Sequence, residues 1–132
     1  MDEHQHHEEL IEGLYKQLKP IFDSSHQAVY VYLDDIHKIC NERFSSLLGY
    51  ASAQDWVKVT EPFADTFVDE KSQEKLVTTF QNAMEKMVAS KVDITWKTKD
   101  GNRVATSVIL APISYNGHLF ALHFISEVQK SL

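Results

Sequence analysis

The sequence predicts an α+β fold in which one antiparallel sheet packs against helices. Three observations predict it. Residues 69–89 repeat apolar side chains at helical spacing. From residue 91 onward the period changes to that of strands, punctuated by the turn-forming pairs Asp100-Gly101 and Asn116-Gly117. Residues 26–40 read as two short strands on either side of Asp34-Asp35.

A chain of 132 residues fits one compact domain. At this length folding buries about two thirds of the unfolded surface, so no disulfide or metal is needed to hold a core. With 43% hydrophobic and 24% charged residues, the composition is that of an ordinary folded protein. The net charge is −6 and the 13 basic residues are scattered, which disfavours nucleic acid as a partner, because phosphate binding needs a basic surface. The single cysteine, Cys40, allows no internal disulfide and fits a reducing cytosol, so a cytoplasmic location is expected. MDEHQHHEEL lacks the basic and apolar regions of a signal peptide. No apolar run approaches the roughly 20 residues of a membrane helix, so direct membrane insertion is not expected.

Taken in order, residues 8–19 read as an amphipathic helix, with Leu10, Ile11, Leu14, Tyr15 and Leu18 at three- and four-residue steps. Gly13 weakens it by about 1 kcal/mol relative to Ala, and Pro20 is expected to end it. Residues 26–33, HQAVYVYL, form a strand; the Asp pair makes a tight turn and IHKIC returns. Asn41 caps a short helix with Glu42 in its first turn, Phe44, Leu47 and Leu48 on one face, and Gly49 in the left-handed closing position. Residues 52–68 are weakly patterned, and short helical turns there should point Trp56, Phe63 and Phe67 inward. Asp69 caps the long helix, whose stripe is Leu76, Phe80, Ala83, Met84 and Met87, with Val77 and Val88 at its edge.

The final third is a meander. In KVDITWKT, Val92, Ile94 and Trp96 alternate with Asp93, Thr95 and Lys97. NRVATSVILAPIS and HLFALHFISEV follow the two turns, each expected to have two residues with positive φ. In the last strand Phe120, Leu122 and Phe124 share one face, and Leu119, Ala121, His123 and Ile125 the other. Both faces are apolar, so cover is expected on both: short helices on one, the N-terminal helix or another subunit on the other.

Several short motifs now fall in order. Asn41-Glu42-Arg43-Phe44 with Leu48-Gly49-Tyr50, Val68-Asp69-Glu70, Lys99-Asp100-Gly101 and Leu110-Ala111-Pro112-Ile113 together resemble the signature of the PAS domain family over residues 20–127. The resemblance implies a five-stranded antiparallel sheet of order 2-1-5-4-3, helices on one face and an N-terminal cap helix that often serves dimerisation. The expected division is a cap helix with a flexible start at 1–19, the PAS-like domain at 20–127 and a tail at 128–132. It further implies a sensory or interaction role, two-component signalling included, exercised as a homodimer through a signalling effector domain or protein.

Cofactor chemistry of that family is then weighed residue by residue. Flavin photoreceptors use a Cys in the short-helix region, but residues 52–70 contain none, and Cys40 at a strand end reads as a buried structural thiol. Haem-binding members use a His on or near the long helix, but no His occurs between residues 38 and 117; His37 and His123 remain, both on strands. Covalent flavin and haem are therefore not expected, and the cofactor stays unnamed. His4, His6 and His7 beside Glu3 and Glu8 read as a solvated terminus, with no metal site assigned.

The candidate ligand site lies between the long helix and the sheet. Phe80, Met84 and Met87 are expected to face Trp96, Val108, Leu110, Phe120, Leu122 and Phe124, with Tyr30 and Tyr32 reaching the same space. This set suits a small apolar or aromatic ligand; a closed core filled by the same side chains is the competing reading. Ile11, Leu14 and Leu18, with Ala121 and His123, are the expected dimer interface. No catalytic residue is assigned, since no Gly-x-Ser-x-Gly, His-Glu-x-x-His or phosphate loop occurs, and Asp34-Asp35 read as turn formers. Two other classes stay open. One is a ligand-free interaction module. The other is a cone-shaped enzyme of the ketosteroid isomerase type, pairing Tyr30 or Tyr32 with Asp93.

Overall fold

The computed structural model describes residues 3–128. The chain runs α1 (Glu3–Ser24), β1 (Val29–Tyr32), β2 (Lys38–Cys40), α2 (Glu42–Leu47), α3 (Ala53–Val57), α4 (Phe63–Phe67), α5 (Glu70–Lys86), β3 (Ser90–Lys97), β4 (Arg103–Tyr115) and β5 (His118–Val128). The strands pair antiparallel in the order β2-β1-β5-β4-β3, as expected. Of the expected boundaries, the first two residues and the tail beyond Val128 lie outside the described residues.

Register decides which side chains meet. Tyr30 lies opposite His123 and Tyr32 opposite Ala121, while Val29 and Val31 oppose Phe124 and Leu122. Opposed residues share a face. One face therefore carries Tyr30, Ile94, Trp96, Val108 and Ile125 against α2–α5. The other carries Val29, Val31, Ile39, Phe120 and Leu122 against α1. The second cover left open by the sequence is thus the chain's own N-terminal helix.

That helix does not stop at Pro20, which lies inside it. The ring removes one intrahelical donor, yet the helix continues because Phe22 is buried against the sheet and edge-on to Tyr15, with ring centroids 6.0 Å apart. Ser24 Oγ returns to the Pro20 carbonyl at 2.7 Å. Burial of one aromatic ring, worth about 2 kcal/mol or more, competes here with a proline penalty of similar size. Gly13 lies close against the sheet: a Cβ there would collide with the Tyr115 hydroxyl.

Asn41 ends β2 and begins α2. Its Oδ1 accepts from Phe44 N and Val29 N, both at 3.0 Å, and its Nδ2 donates to the Gln27 carbonyl at 2.9 Å. At the other end of α2, Gly49 N bonds Ser46 O and Tyr50 N bonds Ser45 O, a Schellman closure with Gly49 at φ +83°. The long helix begins at Asp69, whose carboxylate accepts from Lys71 N. It ends three residues before the expected Ala89, where Met87 turns left-handed at φ 55°.

The two glycine turns differ from each other. Asn116 and Gly117 both have positive φ and form the expected two-residue hairpin turn. At Asp100-Gly101 only the glycine is left-handed, and Gly101 N bonds Thr98 O; this is a longer loop closed by a glycine, not a two-residue turn.

Replacing Asn41 with Ala removes a helix cap and strands the buried Val29 N–H. Chemical denaturation should show a loss of about 2–3 kcal/mol, whereas a loss under about 0.5 kcal/mol would place the junction elsewhere.

Candidate functional site

Between the sheet, α4 and α5 lies a cavity of about 320 Å³. Its sheet wall is Tyr30, Tyr32 and His123; its helical wall is Phe63, Leu76 and Phe80; Asp35 and Pro62 stand beside them. Tyr30 is fully buried among aromatic rings, with His123 stacked parallel at 4.0 Å and Phe44 at 4.6 Å. Its hydroxyl has no hydrogen-bond partner among the described residues. Burial raises its pKa well above the ordinary tyrosine value, so it is a neutral donor. The Tyr32 hydroxyl donates to Asp35 Oδ1 at 3.1 Å, and the same oxygen accepts from Phe63 N at 3.0 Å. Asp35 thereby supplies the cap that α4 lacks, since Pro62 at its N-terminus offers none.

His123 is buried and neutral. Burial lowers its pKa to about 3, against the opposing pull of the Ala121 and Tyr30 backbone carbonyls. Its Nδ1 lies 3.1 Å from the Ala121 carbonyl.

No family model matches this chain, and no curated protein matches it. Solved structures do. A PAS domain from Colwellia psychrerythraea is 21% identical, with a TM-score of 0.65 over 86% of this chain and 96% of that one. A PAS domain of an HTR-like protein from Haloarcula marismortui is 18% identical, with a TM-score of 0.59 over 93% and 98%. A PAS domain from a two-component sensor histidine kinase is 11% identical, with a TM-score of 0.63 over 88% and 97%. The fold is the PAS fold.

Placed in this PAS fold, the expected site residues divide. Tyr30, Tyr32 and Phe80 line the cavity. Trp96, Val108 and Leu110 lie buried on the same sheet face, and Met84 packs beside Leu110 and Ala121. Three expectations are corrected. Phe120 and Leu122 face α1, because the β1–β5 register puts Val31 opposite Leu122. Met87 is 54% exposed, because the left-handed residue that ends α5 carries it off the stripe. Ala121 and His123 lie beneath the helices and not on a free surface, by the same register. Of the expected dimer stripe, Ile11 and Leu14 are buried and Leu18 is packed against the sheet within the single chain. Asp93, the acid of the isomerase reading, bonds Ser107 Oγ at 2.7 Å. It alternates with the core residues Ile94 and Trp96, on the sheet face away from Tyr30.

Two polar residues gained roles that sequence reasoning missed. Asp35 is one. Lys38 is the other: it is 1% exposed, and its ammonium donates to the carbonyls of Val59 (2.6 Å), Asp35 (3.0 Å) and Val57 (3.3 Å). The charge sits 5.1 Å from the Trp56 ring centre. Burial lowers its pKa to about 8, resisted by Asp35. Cys40, on the same strand, is buried, and burial pushes its thiol well above the ordinary range, with Glu42 adding to the effect.

In the histidine run His6 is exposed, as expected of a solvated terminus, while His7 is half-buried. The side chains of Glu3 and His4 lie outside the described ones. His6 Nε2, however, meets His118 Nε2 at 3.1 Å, and His7 Nδ1 meets Asp34 Oδ2 at 3.0 Å. The carboxyl of Asp34 is pushed up by burial, but bonds from the backbone and ring of His37 and from His7 outweigh this and hold it below the usual range. A second groove, of about 590 Å³, runs between α1, β2 and α3 and includes Tyr15, Ile36 and Val57. Among the described residues no helix is long and apolar enough to cross a membrane.

Because the unfolded histidine titrates near 6.5 and folded His123 near 3, the unfolded state binds the extra proton between those values. Its contribution is complete above pH 6.5 and is lost as pH falls toward 3. Urea unfolding at pH 7 and pH 4.5 should show wild type losing about 2 kcal/mol more than His123→Phe; equal losses would contradict the assignment.

Proposed function

We propose that this chain is a sensory, non-catalytic PAS-fold domain that takes a small, largely apolar or aromatic ligand with one hydrogen-bond acceptor. The observation that carries this reading is Tyr30: the residue lines a cavity of about 320 Å³, and its buried hydroxyl has no partner among the described residues. A cavity of this size suits a small molecule, and a buried donor left unpaired costs about 1–3 kcal/mol that a ligand acceptor would recover. Aromatic walls from Phe63 and Phe80 favour a flat ligand. A ligand seated there presses on α4 and α5 from inside, and α1 on the opposite sheet face is the element through which an effector domain or protein partner would feel the change. The structural neighbour from a two-component sensor histidine kinase supports a signalling role of this kind.

Native mass spectrometry of the purified chain, followed by thermal-shift assays with small aromatic compounds, tests the proposal. A retained molecule or a raised Tm is expected, with Tyr30→Phe still folded but binding about fivefold to tenfold more weakly. A chain that arrives empty, and whose Tm no compound moves, would overturn it.

A second reading, a protein-interaction module that includes self-association, is favoured by the groove beside α1, where Ile36 is 51% exposed. Sedimentation should then show a dimer that Ile36→Glu converts to monomer; a monomer at every concentration removes this reading.

A further inference from the structure

We propose that His7, Asp34 and His37 form a binding site for a first-row divalent cation of the zinc type, which latches α1 to the β1–β2 turn. One ligand atom from each of the three lies within 4.8 Å of the other two. Two imidazoles and one carboxylate are the donor set that borderline cations prefer; calcium and magnesium favour all-oxygen sets.

The site is held from both sides. Asp34 Oδ1 accepts the backbone N–H of Ile36 at 3.0 Å and of His37 at 2.8 Å, which fixes the carboxylate before any cation arrives. His37 Nδ1 lies 2.8 Å from Oδ1 and 3.0 Å from Oδ2 of that carboxylate, and His7 Nδ1 lies 3.0 Å from Oδ2. The two rings meet edge to face, with centroids 5.6 Å apart, so both present Nδ1 to one point without stacking on each other. His37 is buried and His7 half-buried, which limits competition from water.

A cation would take an Nδ1 lone pair from each ring in place of the present contacts with the carboxylate, each ring then carrying its proton on Nε2. Three protein ligands leave at least one coordination position for water or a further ligand. The ligands span α1 and the turn between β1 and β2, so occupancy would favour the docked position of α1 over any detached one.

The experiment uses the full chain without an affinity tag, stripped with chelator and then titrated with Co²⁺ and Zn²⁺. Visible d–d absorption from Co²⁺ is expected. Zn²⁺ at about a hundredfold excess over its Kd should raise Tm by about 5 °C or more. His7→Ala should weaken binding by more than about tenfold and abolish the Tm rise. Asp34→Asn, which keeps an oxygen acceptor for the turn, should do the same. His118→Ala, at the neighbouring His6–His118 pair, should leave both readouts intact. Absence of Co²⁺ bands in wild type, binding that survives His7→Ala and Asp34→Asn, or binding lost in His118→Ala instead would each overturn the assignment.

Discussion

The side-chain amide of Asn41 joins the start of α2, the start of β1 and the segment leading out of α1. It is buried, so each of its bonds replaces one that water would otherwise provide, and none can be lost cheaply. Once Asn41 is set, Val29 is fixed relative to Cys40, and β1 can pair with β2 on one edge and with β5 on the other. The cavity wall of Tyr30 and His123 follows from that pairing. The site therefore depends on an amide that never touches it.

Polar groups inside this protein do structural work where charge would ordinarily be excluded. Lys38 carries its ammonium into a cage of three carbonyls, including that of the last residue of α3. Desolvating the charge is costly, and the lowered pKa registers that cost, but three accepting carbonyls and the Trp56 ring offset it. Asp35 does the complementary task at the start of α4, and also orients Tyr32 at the cavity.

Much of the fold was legible because the signals were local. The caps at Asn41 and Asp69, the left-handed Gly49 and the Asn116-Gly117 turn depend on chemistry within a few residues. What was not legible depended on tertiary choice. Both faces of β5 are apolar, so residue parity alone could not say whether Leu122 or His123 would meet the helices; the register with β1 decides. Pro20 reads as a terminator until the burial of Phe22 outweighs it. Asp35 read as a turn former, and nothing local in IHKIC marks Lys38 for burial, because charge is usually exposed. His7 gained partners only because α1 crosses the β1–β2 turn, a contact across 27 residues.

The order of the strands leaves β3 at one edge of the sheet. An open edge of eight residues is long enough to recruit a strand from another molecule. Here the face turned away from the helices shows Lys91, Asp93, Thr95 and Lys97 in alternation, and Val68 bridges to Trp96 on part of the edge. A strand arriving from a second molecule would have to bring its own side chains against fixed charges of both signs. The alternation that identifies β3 as half-buried also sets charges of both signs beside the one long open edge of the sheet.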